Sequence, residues 1–255
     1  MNIQHQATQS RYVGHVLPPG ADIGAALALR AQVYRGGGGI KGDIDRFDPI
    51  SHHILVTKQG CNKPLAYARL RRHESARSIL QGYCGKRYAL QGFAQHTRQG
   101  AEMGRLCLAP GASDVNVLRS LWGVLGRCVV DWRIGFVFGC HSFAGVEPLA
   151  HQTVFRKMTA GHRVPDQWEI RPKHEAFSLT EAGPATAATA PAHSAALTRS
   201  YMAMGARFSD QGAFDHDLNR LHVFACLELR AMPIVRRRGL LRLAREIDLA
   251  DALSD

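Results

Sequence analysis

AEMGRLCLAPGASDVNVLRSLWGVLGRCVVDWRIGFVFGC, residues 101–140, decides the fold. It opens on an apolar strand, AEMGRLCLAP, which Pro110 stops because proline has no N–H to give to a ladder. Asp114 is placed to cap the helix that follows. Val117, Leu118, Leu121, Leu125, Cys128 and Val129 keep helical spacing in that helix up to Trp132. IGFVFGC (Ile134 to Cys140) then reads as a second strand. A strand, helix, strand crossover of this length supports parallel pairing of the two strands and an α/β fold.

Upstream, DIGAALALRAQVYR (Asp22 to Arg35) has the spacing of an amphipathic helix, and the glycines from Gly36 to Gly39 end it. HHILVT and PLAYARLRR are strands joined by QGCNKP, an antiparallel hairpin. From Ser75 to Gly100 the sequence is mixed, with Tyr83, Tyr88 and Phe93 as anchors. Downstream, a helix is expected from Pro148 to about Ala160. A low-complexity surface loop follows at 181–196, then a helix up to Gly205 and a strand at HVFACLEL. Residues 233–255 form a basic amphipathic tail that suits either packing on the domain or contact with an anionic membrane; packing is the expectation.

The chain has 255 residues, 45% of them hydrophobic, which is ample for a packed core. No run of 18 apolar residues occurs, and the N-terminal stretch lacks the apolar core of a secretory signal, so a cytoplasmic location is expected. The six cysteines have no CxxC spacing, and neighbouring His52 and His53 cannot share one strand face, so no metal site is expected. A net charge of +11 calls for an acidic partner. Nucleic acid is not expected, because no stacking platform of aromatic residues is set among the basic ones.

Charged residues are placed on elements that should form one sheet: Arg30 on the first helix, Asp45 and Asp48 after the glycines, Arg69 on a strand, and Glu102 with Arg105 on the next. Charges in apolar strands are costly unless paired or used. The plain alternative is a surface salt-bridge ladder among Glu102, Arg69 and Arg105.

The runs RAQVY (Arg30 to Tyr34), DRFD (Asp45 to Asp48), ARL (Ala68 to Leu70) and EMGR (Glu102 to Arg105) resemble the R-x-x-V-F, D-x-F-D and E-x-x-R pattern of acyl-homoserine-lactone synthases. A closer resemblance is to the L-ornithine N-acyltransferases of ornithine-lipid biosynthesis. EMGRLCLAP is similar to their E-L-G-R-S-C-V segment, and FVFGCHSFAGVEP (Phe136 to Pro148) is similar to Y-L-F-G-C-x-S-F-x-G-T-D-P. LTRSYMAMGARFSDQGAFDHDLN (Leu197 to Asn219) resembles the region around their Y-L-R-L-G-A run. The blocks keep family order over most of residues 25–230. Arg220, Leu221 and His222 depart from the family, standing where it has a polar T-x-D run. Arg35 to Gly39 stand where many relatives have an acidic stretch.

The resemblance implies a GNAT-like α/β domain over residues 1–255, with a core at 22–230 and a mixed, mostly antiparallel central sheet flanked by helices. It implies transfer of a 3-hydroxyacyl group from acyl carrier protein to the α-amine of L-ornithine. The donor rides on the carrier's phosphopantetheine, and no further cofactor is expected. LAPGASDVNV has one glycine where coenzyme A-dependent GNAT enzymes resemble one another in a glycine-rich loop that cradles pyrophosphate, which agrees with a carrier-protein donor. The acidic carrier also suits the charge. The location it implies is cytoplasmic, with the tail as the segment for any peripheral contact with the inner membrane.

An α-ammonium must lose a proton before it attacks a thioester. Glu102 is the candidate base, which leads Glu102→Gln to remove activity at nearly unchanged melting temperature. Arg69 or Arg105 would hold the acceptor's carboxylate, Asp45 or Asp48 its side-chain ammonium, while Arg30 binds substrate or orders those aspartates. Ser142 is a further substrate contact; it is not a nucleophile elbow, since its glycines lie three residues away. Cys140 and His141, neighbours on a strand, point to opposite faces and form no dyad. The alternatives are a signal synthase acting on S-adenosylmethionine and a basic GNAT-like binding module without turnover.

Overall fold

The computed structural model describes residues 11–36, 43–97, 99–112, 114–180 and 192–250. In chain order the elements are β1 (Tyr12–Leu17), α1 (Gly24–Tyr34), β2 (His52–Lys58), β3 (Pro64–His73), α2 (Ala76–Leu80), α3 (Tyr83–Arg87) and β4 (Tyr88–Ala89). These are followed by α4 (Gln91–His96), β5 (Gly100–Leu108), α5 (Val115–Asp131), β6 (Phe136–Ala144), α6 (Gln152–Thr159), β7 (Arg171–Pro172) and β8 (Ala176–Ser178). The chain closes with α7 (Ala192–Ala203), β9 (Arg207–Asp215), β10 (Arg220–Glu228), α8 (Ile234–Glu246) and β11 (Leu249–Ala250).

The main sheet runs β11-β1-β2-β3-β5-β6-β10-β9-β8, with a separate β4-β7 pair. Its ladders are antiparallel except β1–β11 and β5–β6. The expected β2–β3 hairpin and the parallel β5–β6 pair joined by α5 are both present. Asp114 caps α5 by accepting the Asn116 N–H at 2.9 Å.

Both faces of the sheet are covered. Ile54, Val56, Ala68 and Met103 pack with Leu121, Val124 and Tyr201 of α5 and α7. Alternation turns Leu55, Tyr67 and Cys107 to the other face, under Ala26 and Leu29 of α1. Next to these, Phe138 and Phe224 pack on Ile79, Tyr88, Phe93 and Trp168. Tyr88 and Phe93 are thus the anchors expected, whereas Tyr83 is only half-buried.

Several boundaries differ from expectation. The sheet reaches beyond 22–230 at both ends, since β1 and β11 belong to it. The tail packs: Gly123 and Gly126 of α5 leave room for Leu240, Leu243, Ala244 and Ile247, where an added Cβ would lie 3.0–3.2 Å away. The helix expected from Pro148 starts at Gln152, after a tight turn over Pro148–His151. α7 begins at Ala192, inside the expected loop, while the rest of that loop and glycines 37–39 lie outside the described residues. Strand β9 has no counterpart in the sequence reading.

β5 and β6 pair only from Gly100↔Phe136 to Met103↔Gly139 and then part. A Cβ at Gly139 would sit 2.2 Å from the Met103 carbonyl oxygen, so only glycine lets the strands approach at the point where they diverge. Gly139→Ala is expected to destabilise the fold by about 2 kcal/mol or more, since backbone must move to admit the methyl. Chemical denaturation measures this directly, and an unchanged midpoint would contradict it.

Candidate active site

The charged residues singled out above meet in a buried network. Arg30, fully buried on α1, donates from Nε to Asp43 Oδ2 at 2.5 Å and from Nη1 to Asp48 Oδ1 at 2.7 Å. Arg69 Nη1 donates to Asp45 Oδ1 at 2.5 Å and Asp48 Oδ1 at 2.8 Å. Arg105 lies 3.4 Å from Asp43 and 3.2 Å from Asp45. Burial raises the Asp48 carboxyl, but the Arg30 hydrogen bond and the Arg69 charge outweigh it and hold it at about 2. Burial also works against the Arg30 charge, and the Asp48 bond with the charge of Asp43 more than offsets it.

Arg105 reaches this network through a β-bulge. Tyr67 pairs with Cys107 and Arg69 with Gly104, so β5 spends one residue more than β3 over that stretch. Arg105 takes a left-handed backbone at this bulge, φ 53°, which side chains disfavour. The bulge turns it to the Arg69 face, where its guanidinium stacks over Tyr34 at 5.8 Å and Tyr83 at 5.4 Å.

Where β5 and β6 part, a cleft of about 450 Å³ opens. One end is apolar, with Met103, Leu108, Leu197 and Tyr201 in its wall; the other carries Tyr34, Arg69, Tyr83, Arg105, Ser142, Arg220 and His222. At the polar end Arg220 Nε and Ser142 Oγ are buried without a hydrogen-bond partner among the described residues, while Arg105 Nε faces Asp43 at 3.4 Å and His222 Nδ1 faces Asp215 at 3.7 Å. Buried donors left unpaired are costly, and a bound polar ligand would satisfy them.

Of the expected site residues, Arg69, Arg105 and Ser142 line the cleft. Arg30 and Asp48 lie behind it, where Arg30 orders the aspartates, and Asp45 sits between Arg69 and Arg105. Glu102 does not line the cleft and is not part of a surface ladder. It is 5% exposed, accepts the N–H groups of Tyr83 at 3.0 Å and Cys84 at 2.5 Å, and lies 3.5 Å from His73 Nε2. Burial raises the Glu102 carboxyl, yet His73 and the Cys84 N–H outweigh it and leave it below the ordinary value. Cys140 and His141 do diverge: Cys140 Sγ lies 3.4 Å from Cys84 Sγ, and His141 Nε2 lies 2.8 Å from Thr198 Oγ1 on α7.

The sequence motifs do not mark Asp43, Tyr34, Tyr83, Arg220 and His222 as site residues. Asp43 shares the acidic D-x-D-x-x-D run with Asp45 and Asp48, the one sequence signal that points to it. Among the described residues no group of three or more His, Cys, Asp or Glu side chains is placed to hold a metal ion. No described helix is long and apolar enough to cross a membrane.

A mixed sheet whose two central parallel strands part over a cleft, with cationic groups at one end and apolar side chains at the other, is a GNAT-like α/β fold. Residues 29–123 match the acetyltransferase (GNAT) domain family. The chain is similar to curated L-ornithine N(alpha)-acyltransferases. One, from Rhizobium meliloti, is 27% identical over 228 residues, covering 82% of this chain and 77% of the relative. Another, from Brucella abortus, is 26% identical over 197 residues, covering 73% and 70%. The fold is also that of a solved coenzyme A-dependent acyl-homoserine lactone synthase, BjaI with SAM and isopentyl-CoA, at a TM-score of 0.51 and 10% identity, covering 94% of each chain.

The geometry changes what is expected of Glu102→Gln. One oxygen becomes an NH₂ group facing a backbone N–H, so a buried bond is replaced by an unsatisfied pair costing about 1–3 kcal/mol. Activity and melting temperature should fall together in a thermal-shift and turnover comparison; loss of activity with the melting temperature unmoved would return Glu102 to the role of base.

Proposed function

We propose that the chain, acting as one catalytic domain, transfers a 3-hydroxyacyl group from the phosphopantetheine thioester of acyl carrier protein to the α-amine of L-ornithine. The observation that carries this reading is the cleft between β5 and β6, cationic at one end and apolar at the other. Past Met103 and Gly139 the two strands no longer pair with each other, so their facing peptide groups suit the amides of an extended thioester arm. The acyl chain then runs toward Leu108, Leu197 and Tyr201.

Arg220, with an unfilled Nε donor, and Arg105 beside it in the wall take the acceptor's α-carboxylate, and Ser142 Oγ adds a hydrogen bond. The δ-ammonium is directed to Asp45, which stands behind the wall between Arg69 and Arg105 and is more exposed than Asp48; Asp48 already accepts from Arg30, Arg69 and the Asp45 N–H. Glu102 positions Tyr83 by holding its backbone.

A carrier-protein donor, with no cofactor beyond its phosphopantetheine, is supported by the start of α5. There Asp114 places the chain's own carboxylate on the first-turn N–H of Asn116, a group that would otherwise suit a pyrophosphate. Such a donor puts the reaction in the cytoplasm, and the exposed arginines of α8 provide for any peripheral contact with an anionic inner membrane.

Incubation with 3-hydroxyacyl carrier protein and a pool of amino acids, followed by mass spectrometry, is expected to yield acyl-ornithine. No amide with any acceptor would overturn the reading. Arg105→Lys should raise KM for ornithine by about 10-fold or more, because a point charge replaces a two-pronged contact.

A further inference from the structure

An amino acid offered to this cleft arrives as an ammonium, and the described wall contains no carboxylate to take its proton. Cleft tyrosines 34, 83 and 201 are pushed up by burial and do not accept protons near neutrality. Of the two imidazoles in the wall, His141 belongs with Thr198 and Tyr201 toward α7. His222 stands at the polar end, on β10 opposite Ser142 of β6 and beside Tyr83.

Behind His222 lies Asp215, 1% exposed and 3.7 Å from His222 Nδ1. Asp215 is itself fixed by Arg87 Nη2 at 2.7 Å, Tyr83 Oη at 3.2 Å and the Leu218 N–H at 3.1 Å. We infer that His222 is the general base of the acyl transfer and that Asp215 is its positioning residue; the inference rests on the acyltransferase reading above.

Asp215 favours the tautomer with the proton on Nδ1, leaving Nε2 as the acceptor. The 3.7 Å separation exceeds a hydrogen bond, and the proposed role requires it to shorten when substrate fills the cleft. Nε2 removes one proton from the ammonium, and the freed amine attacks the thioester carbon. The C–N bond forms, the C–S bond breaks, the departing sulfur takes a second proton from the attacking nitrogen, and His222 passes its own to water.

Burial and the charges of Arg87, Arg105 and Arg220, opposed by Asp215, hold His222 at about 3 in the free protein. Tyr83, Cys140 and Ser142 are its other polar neighbours in the cleft. An acceptor carboxylate seated on Arg105 and Arg220 cancels part of that field and raises the imidazole toward its ordinary value. The base is thereby strengthened by the substrate it serves.

The test compares kcat against pH for the natural protein, His222→Gln, His222→Asn and Asp215→Asn, with ornithine and with hydroxylamine, an acceptor already unprotonated near neutrality. Expected are an acid limb in the natural protein's kcat and a fall of about 100-fold or more in both His222 variants, which lose that limb. Their activity should recover substantially with hydroxylamine. Asp215→Asn should move the limb to lower pH, because it removes the charge that raises His222. A His222 variant with natural kcat and the natural acid limb overturns the role while acyl transfer stands. A natural protein that makes no amide with any amino acid overturns the function reading and this inference with it.

Discussion

Three arginines and three aspartates, buried or nearly so at the junction of α1, β3 and β5, are the constraint on which the active face depends. Arg30, Arg69 and Arg105 balance Asp43, Asp45 and Asp48, so the cluster is neutral as a whole while each member is charged. Desolvating such groups consumes most of what their attraction returns, and removing one leaves a buried charge at a cost of about 3–5 kcal/mol. The network therefore adds less to net stability than to geometry. It ties the segment after the glycines to two strands of the sheet and presents Arg69 and Arg105 to the cleft with little freedom left to lose on binding.

The same network accounts for the bulge in β5. A non-glycine residue at φ 53° costs about 1–2 kcal/mol, and Arg105 tolerates it because its charge is met by Asp43 and Asp45 and its plane by Tyr34 and Tyr83. Without the extra residue, Arg105 would follow strand alternation onto the face of Met103. On the opposite strand Gly139 lets β6 pass close to Met103 before the two part. Bulge and glycine act at neighbouring positions: one re-aims the side chain, and the other sets where the cleft begins.

What the sequence discloses follows from what is local. α5, the β2–β3 hairpin and strands β5, β6 and β10 show their periods plainly because each is set by a continuous apolar pattern. β9 does not, since RFSDQGAFD mixes polar residues with Gly212, where a Cβ would meet the Phe177 ring at 2.1 Å. β11 is two residues long and exists only because α8 returns the chain to β1. In the site, the charged residues of the motifs come together in one network except Glu102, which faces the start of α3. Its place in E-x-x-R suggests chemistry, yet the short helix α3 brings two backbone amides onto it, a tertiary event no spacing encodes. Tyr83 and His222 are 139 residues apart in the chain and share the cleft for the same reason.

The distribution of charge separates two uses of arginine in this chain. Because the buried network cancels itself, the net +11 is carried by the rest of the molecule. On α8, Ala244 packs toward α5 while Arg236, Arg238, Arg242 and Arg245 stay exposed. Surface charges of this kind are screened within about 10 Å at ordinary ionic strength and act mainly on encounter rates. Those inside the cleft are screened little and act on the bound substrate. In the proposed reaction an acidic donor is gathered by the first set and the acceptor's carboxylate by the second. Salt therefore weighs on the approach of the carrier far more than on the grip of Arg105 and Arg220 on the amino acid.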